Sequence, residues 1–388
     1  MTAPVRLAVI PGDGIGAEVT VQARQVLDEV SRLASIPLEY DEIPAGAAHY
    51  LEHGRDWPEG SERRCADADA ILLGAIGLPD SAGRGSVLRT DGRMAGWSAI
   101  VGNRIGLDLY ANVRPVKLFP GVRHRVSGRL AQVWEPSAVD MVMVRENTEG
   151  LYSGSGGVLA PGGLAQVATD TRIITRTASE RVIRYAFETA MRRDGAPADG
   201  RRRVTCVVKD NILHGCRLFL DVFEEVAAAY PDVERDVSLV DAFTLRLVRD
   251  PGRYDVVVST NMFGDIITEL ASALQGGLGL SVGCNIGDRH AMFEPIHGSA
   301  PGHTGQDRVN PMAALLAAGE ALSWVGERRG DPALTGAGGA VARAVRDVLA
   351  DGSTLTYDLA DDGRAAPSSK VTAAVVHRLP AALEAARP

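Results

Sequence analysis

The feature that most constrains this fold is a set of short apolar runs, each ending abruptly in a glycine or a charged residue. "RLAVI" runs into "PGDGIG", "AILLGAIG" into "LPD", "MVMV" into "REN", "RVTCVV" into "KDN", and "YDVVVST" into "NMFGD". Runs of four to eight apolar residues without alternation fit strands covered on both faces. Longer stretches between them, "GAEVTVQARQVLDEVSRLA", "TASERVIRYAFETAMRR" and "LHGCRLFLDVFEEVAAAY", carry apolar residues at helical spacing, with Phe219 and Phe223 as candidate core of the last. Strands alternating with helices predict an α/β protein with substantial parallel sheet. The strand ends are then where a site is expected.

The first of those ends, Gly12-Asp13-Gly14-Ile15-Gly16, poses a question. Strand, glycine turn and helix start is the order in which nucleotide-binding units offer backbone N–H groups to a pyrophosphate. The dinucleotide fingerprint is G-x-G-x-x-G, however, and here the third glycine arrives one residue early. An acid does follow the next candidate strand, Glu39 or Asp41 in "IPLEYDEIP". On this stretch alone, a phosphate loop and a plain tight turn both stand.

The 388 residues suffice for two domains or one large α/β unit with an insertion. Net charge is −8, and no lysine–arginine run exceeds the three residues Arg201 to Arg203, so nucleic-acid and membrane-surface binding are not expected. Cys65, Cys206, Cys216 and Cys284 are scattered with no C-x-x-C pair, which argues against a disulfide scaffold and a structural zinc. With no charged-then-apolar leader and no membrane-length apolar run, the expectation is a cytoplasmic protein. "YSGSGGVLAPGG" (152–163) reads as an exposed loop or arm, and residues 79–97 as a long, functional or mobile loop.

Charged residues cluster at strand ends. Asp265 and Glu269 in "NMFGDIITELASAL" stand four apart, so both carboxylates project from one helical face. Their repulsion would be offset by a hard divalent cation with oxygen ligands; for a lone acid pair, a solvated helix face is the commoner arrangement. Lys209 closes one apolar strand, Arg145 another, and Arg114 ends "LDLYANVR", with Arg104 one stretch earlier and Tyr152 just beyond Arg145. Guanidinium forks bind carboxylates bidentately. Together these residues suit a small, multiply charged acid held beside a metal.

The chain resembles the metal-dependent β-decarboxylating dehydrogenases, the family of isocitrate, homoisocitrate, 3-isopropylmalate and tartrate/D-malate dehydrogenases. The resemblance runs nearly end to end, through "IPGDGIG", "LDLYANVRPVK", "VRENTEGLYSG", "VVKDN", "NMFGDI", "GGLGLSVGCNIGD", "FEPIHGSAPG", "VNPMAALL" and "TLTYDLA". It implies the isopropylmalate/isocitrate dehydrogenase-like two-domain α/β fold with a mixed sheet, not the classical Rossmann arrangement. The implied division is 1–109 plus 276–388 as the nucleotide-side domain, and 110–275 as the substrate, metal and dimerisation domain with an arm near 152–170. The "PGDGIG" turn is then mostly turn chemistry. The resemblance also implies that Arg104, Arg114 and Arg145 clamp the substrate carboxylates. Asp265, Glu269 and Asp241 would hold Mg²⁺ or Mn²⁺, with Asp241 and Lys209 reaching the site from the partner of a homodimer with shared active sites. Asn211 would lie close to the nicotinamide of NAD, or of NADP, and His297, Gly298, Ser299, Ala300 and Asn310 on its adenosine side. Lys209 would take the hydroxyl proton, and Tyr152 would protonate the carbon left after CO₂ departs.

Three positions depart from the family's pattern. Glu269 stands where most members carry aspartate. Gly302-His303 follows "HGSAP", where NAD users usually carry Asp-Ile and NADP users Lys-Tyr; the expectation leans to NAD. Ile100-Val101, with Trp97 before them, stand where the family reads the group on the substrate's third carbon. An apolar wall favours an alkyl or aryl substituent and leaves an extra carboxylate unpaired. A 3-isopropylmalate-like substrate is therefore expected, ahead of isocitrate, homoisocitrate or tartrate/D-malate. Ser98, Asn103 and the upstream Arg84, Arg89 and Arg93 keep a distal anion in contention. A non-catalytic regulatory subunit of the same fold is the rival from another class. Such subunits tend to lose the lysine, tyrosine or metal acids that this chain keeps.

Overall fold

The computed structural model describes residues 3–83, 85–361 and 363–386; Arg84 lies outside them. The first strands in chain order are β1 (Val5–Ile10), β2 (Leu38–Glu42), β3 (Ala70–Leu73), β4 (Ala111–Lys117), β5 (His124–Val126), β6 (Arg129–Ala131) and β7 (Asp140–Glu146). They are followed by β8 (Gly156–Leu159), β9 (Val167–Asp170), β10 (Arg203–Val208), β11 (Glu234–Leu239), β12 (Val256–Ser259), β13 (Val282–Ile286) and β14 (Ala291–Pro295). The helices are α1 (Ile15–Ala34), α2 (Ala47–His53), α3 (Ser61–Asp67), α4 (Asn103–Gly106), α5 (Arg176–Met191) and α6 (His214–Ala227). The remainder are α7 (Val240–Arg249), α8 (Asn261–Leu274), α9 (Met312–Arg329), α10 (Pro332–Asp351) and α11 (Ser368–Glu384).

The chain divides into two compact units, one of residues 1–109, 118–133 and 275–388, the other of 110–117 and 134–274. Residues 118–133, which the sequence grouped with the middle of the chain, thus fall with its two ends. Their contacts explain this: Arg123 pairs with Asp361 at 2.8 Å, and Arg125 donates to the Tyr357 carbonyl at 2.9 Å.

In the first unit the strand order is β2-β1-β3-β14-β13, parallel throughout except for the antiparallel β13–β14 pair. That antiparallel strand distinguishes it from an all-parallel Rossmann sheet. All four residues of β3 are buried, as its apolar run requires. The strand stops at Leu73, shorter than the run "AILLGAIG"; beyond it the Gly74 amide donates to the Ile10 carbonyl at 2.7 Å and the Gly77 amide to Asp13 at 2.8 Å, so this stretch lies alongside the turn after β1. Helix α9 is buried on nearly every side, packed between the sheet and α10.

The glycine turn after β1 is used by the protein itself. The amides of Asp13 and Ile15 donate to the carbonyls of Ala75 (2.7 Å) and Ser299 (2.8 Å). A Cβ on Gly14, whose φ is +57°, would stand 2.2 Å from the Ser299 carbonyl oxygen. Asp13 is buried, and its carboxylate accepts from the amides of Ala47, Ala48 and Gly77 at 2.8–2.9 Å. These contacts make the turn a structural junction.

In the second unit the order is β11-β10-β12-β7-β4, parallel except for the antiparallel β4–β7 pair. Every residue of β10 and β12 is buried. Helices α5 and α6 join through Phe187 and Phe223, their rings 5.4 Å apart. Strands β8 and β9 form a separate two-stranded hairpin, with every residue of both strands exposed. Among the described residues, no helix is long and apolar enough to cross a membrane.

Candidate active site

The second unit carries the densest constellation of charge. In the β4–β7 register Asn112 lies opposite Arg145, and Arg114 stands two residues further along the same face. Helix α8 packs against both strands. Its residues Asn261, Asp265 and Glu269 recur every fourth position and therefore share one stripe. The helix already begins at Asn261, so Asp265 sits one full turn in, rather than at the strand–helix junction expected from sequence.

The stripe meets the two arginines in order. Asn261 Oδ1 accepts from Arg145 Nε at 3.0 Å and from Nη2 at 2.7 Å. Asp265 Oδ1 accepts a short hydrogen bond from Arg145 Nη1 and lies 3.5 Å from Arg114 Nη2. Glu269 Oε1 lies 3.4 Å from Arg114 Nη1. Asn112 Oδ1 fixes the other edge of that guanidinium, accepting from Nε at 2.9 Å. Tyr152 donates its hydroxyl proton to Asp265 Oδ2 at 3.1 Å. The arginine side chains are only 5% and 3% exposed, whereas Asp265 and Glu269 are 35% and 46% exposed. Buried cations thus support half-open carboxylates. Within one protomer the repulsion between the two acids is offset by Arg114 and Arg145.

Gly264 makes this arrangement possible. A Cβ there would stand 2.6 Å from Arg145 Cγ. Gly264, Asn261 and Asn112 were not singled out in the sequence. The available signals were the period-two spacing of Asn112 to Arg114 and the period-four spacing of Asn261 to Asp265.

Lys209 and Asp241 form a second pair, Nζ to Oδ1 at 2.9 Å. This hydrogen bond from the ammonium holds the Asp241 carboxyl below the usual carboxylate range. Among the described residues of one chain, no three His, Cys, Asp or Glu side chains are gathered to hold a metal ion. Asp241 therefore does not join Asp265 and Glu269 within a single protomer. The donor chemistry of the pair, two anionic oxygen ligands on a rigid helix, fits Mg²⁺ or Mn²⁺. Asn211 is exposed in the turn after Lys209.

The other candidates lie in the first unit. Arg104 Nη2 donates to Glu294 Oε1 at 2.9 Å, an oxygen that also accepts from Asn285 Nδ2 at 2.8 Å. Sequence alone does not mark Glu294, which stands in the motif "FEP". Ile100 lies in a π-helical turn, Ser98–Gly102, that leads into α4, and it packs in part against the core around Ala99, Trp57 and Met292. Arg89 is not available to a distal anion: its guanidinium is paired with Asp56 at 2.7 Å and Asp91 at 3.0 Å. Arg93 lies 5.1 Å over the Trp97 ring.

In the segment 297–310, His297 Nδ1 lies 3.1 Å from the Gly298 carbonyl, as a donor would. Nε2 is buried and unpartnered. Burial lowers the pKa of this imidazole, so it is neutral at pH 7. Ser299 donates to the Gly77 carbonyl, and Ala300 holds an unusual φ of +35° before Pro301. Gly302 is exposed, and beside it the buried Nδ1 of His303 has no partner. Asn310 is committed within the fold, donating to Asp358 at 2.9 Å and accepting from the first amide of α9 at 3.0 Å. The unpartnered ring nitrogens fit a hydrogen-bonding nucleotide base, which NAD carries.

Comparisons with known proteins bear on the family of the chain. Residues 6–375 match the family model described as isocitrate/isopropylmalate dehydrogenase. The chain is 40% identical over 377 residues to a 3-isopropylmalate dehydrogenase of Clavibacter sepedonicus, covering 95% of this chain and 96% of that protein. It is 42% identical over 330 residues to a 3-isopropylmalate dehydrogenase of Thermobifida fusca, covering 83% and 86%. The crystal structure of isocitrate dehydrogenase from Methylococcus capsulatus superimposes with a TM-score of 0.80 at 35% identity, over 97% of this chain and 99% of that one. The chain belongs to the isocitrate/isopropylmalate dehydrogenase family.

Proposed function

We propose that this enzyme oxidatively decarboxylates 3-isopropylmalate, or a close 3-alkylmalate, to a 2-oxo acid and CO₂. The observation that carries the proposal is the stripe Asn261, Asp265, Glu269 set against Arg145 and Arg114, with Tyr152 on Asp265. Two arginines buried beside half-exposed acids can bind a dianion while the acids face a metal. Bound Mg²⁺ or Mn²⁺ would polarise the substrate hydroxyl, and bound NAD would accept the hydride.

The chain's own residues do the rest. Arg114 and Arg145, oriented by Asn112 and Asn261, grip the carboxylates as rigid forks, and Arg104 adds a third. Lys209, as the neutral amine after giving up a proton to solvent, accepts the hydroxyl proton. Tyr152 delivers a proton to the carbon from which CO₂ has left. Ile100 packs against the alkyl group and withholds a polar partner from a third carboxylate.

Two chains are needed. Asp241 is not gathered with Asp265 and Glu269 among the described residues of one protomer, and Lys209 is paired with Asp241; this supports the reading that the two complete the partner's site in a homodimer. The exposed apolar residues of the second unit support this: Val158, Leu159, Leu164 and Val167 on the arm, and Leu245 and Ile266 on α7 and α8. The cysteines are all free and buried, in keeping with a reducing cytoplasm.

For the cofactor, NAD is the principal reading and NADP the second. NADP is favoured by one cluster: the Arg308 guanidinium lies 4.5 Å over the Tyr357 ring, and the His303 ring lies 5.9 Å from the same ring. Purified protein assayed with either cofactor, Mn²⁺ and a panel of malates tests the proposal. NAD(P)H formation fastest with 3-isopropylmalate is expected; faster oxidation of isocitrate would overturn the substrate.

A further inference from the structure

Asp56 does work that neither its sequence context nor its distance along the chain from the site residues announces. Its side chain is 1% exposed and lines a 320 Å³ cleft with Tyr50, Trp57 and Arg89. Oδ1 accepts from the Gly96 amide at 3.0 Å; Oδ2 accepts from the Ser98 amide at 2.9 Å and from Arg89 Nη1 at 2.7 Å. The same Nη1 also donates to Ser98 Oγ at 3.1 Å. One buried carboxylate thus fastens both ends of the segment 89–98. Gly96 is confined as well: its φ is +93°, and a Cβ would stand 2.3 Å from Ile76 Cγ2. Directly after this fastening comes the π-helical turn that carries Ile100 and leads to Arg104.

We propose that Asp56 is a specificity-determining positioning residue. It fixes the turn that presents Ile100, and it holds Arg89 away from the substrate's third carbon. This rests on the reading above, that the turn faces that carbon. A charge-assisted hydrogen bond to a buried carboxylate is strong, and Arg89 is further neutralised by Asp91. Loss of Asp56 therefore does two things at once: it loosens Ile100 and leaves Arg89 with Asp91 as its remaining carboxylate partner, so that the vacated edge of the guanidinium can pair with an extra carboxylate.

The test measures kcat and KM for 3-isopropylmalate and for isocitrate in Asp56→Ala, Asp56→Asn, Arg89→Met and the Asp56→Ala/Arg89→Met double variant. In Asp56→Ala, KM for 3-isopropylmalate is expected to rise about tenfold with kcat within about threefold, and the isocitrate/isopropylmalate ratio of kcat/KM to rise about tenfold. Asp56→Asn, which keeps one acceptor oxygen, should shift the ratio less, and this variant carries the test if the alanine protein does not fold. The double variant should lose the gain on isocitrate. A lowered Tm with KM for 3-isopropylmalate and the isocitrate/isopropylmalate ratio both unmoved would reduce Asp56 to a merely structural role and overturn the inference. A wild-type enzyme inert on every 3-alkylmalate would overturn the proposed substrate instead.

Discussion

The Arg145 side chain lies across Gly264, with Cγ 2.6 Å from where a Cβ would be. Asn261 holds both Nε and Nη2, and Asp265 holds Nη1, so this guanidinium has no direction in which to yield. In an ordinary helix interior, glycine to alanine stabilises by about 1 kcal/mol. Here the added methyl must displace Arg145 or tilt α8. Gly264→Ala is expected to lower kcat/KM by about 100-fold, the order of loss that a misplacement near 1 Å produces. Steady-state kinetics beside a melting curve check it. Full activity with a raised Tm would contradict the contact.

Glu269 offers a second test. It reaches Arg114 at 3.4 Å, weaker than an ideal ion pair, and is nearly half exposed. Such a carboxylate can turn to a metal at little cost. Glu269→Gln removes one anionic ligand and should weaken Mn²⁺ binding by at least about tenfold, read by calorimetry. Glu269→Asp retracts the carboxylate by one methylene and is expected to change the ratio of Mg²⁺- to Mn²⁺-supported activity. An unchanged Mn²⁺ affinity in the glutamine variant would remove Glu269 from the metal site.

The parts legible in sequence were those written in residue types that rarely serve two purposes. All-apolar runs such as "RVTCVV" mark strands covered on both faces, and β10 is buried at every residue. Arg114, Arg145 and Asp265 were conspicuous because charge at the end of an apolar strand needs a reason. Asn112, Asn261 and Gly264 were not, because asparagine and glycine are common turn residues, and their roles appear only when β4, β7 and α8 are set together. Asp13 lies in a stretch whose pattern alone left a phosphate loop and a tight turn both open; the turn reading fits, since Asp13 binds three backbone amides of its own unit. By contrast, the grouping of 118–133 depends on partners more than 230 residues away, such as Tyr357 and Asp361. Local pattern carries no information at that range.

Asp56 should also leave a trace in acid stability. Burial alone would raise its pKa, but the amides of Gly96 and Ser98, the Ser98 hydroxyl and the Arg89 guanidinium outweigh that and hold it below the usual range. A carboxyl depressed in the folded state contributes stability above its unfolded pKa of about 3.9. That contribution is lost as pH falls through this value toward the folded pKa. The Tm of the wild type should therefore drop more steeply below about pH 4.5 than that of Asp56→Asn, which has no proton to gain. Parallel curves would contradict the depressed pKa.

The cofactor prediction turns on Arg308 and on the missing acid at Gly302. If the Arg308, Tyr357 and His303 cluster meets a 2′-phosphate, Arg308→Gln should lower kcat/KM for NADP about tenfold and leave NAD within about twofold. Gly302→Asp should act in the same direction, because an acid repels the phosphate and pairs with ribose hydroxyls. NADPH binding followed by fluorescence gives a readout independent of turnover. Equal losses with both cofactors would place the cluster away from the 2′ position.

Shared active sites can be tested by complementation. Lys209→Met and Asp265→Asn proteins should each be nearly inactive as homodimers, since each removes one group from every site. If Lys209 of one protomer serves Asp265 of its partner, a hybrid dimer has one site with both defects and one with neither. Unfolding and refolding an equimolar mixture should then recover about a quarter of wild-type activity, because half of the dimers are hybrids with one intact site of two. Charge placed on the arm tests the same assembly from outside: Val158→Asp with Leu159→Asp buries two carboxylates if β8 is covered by a second chain, and should shift the protein to monomers in sedimentation and abolish turnover. No recovery from the refolded mixture, with each homodimer refolding intact, would put Lys209 and Asp265 in the same protomer's site.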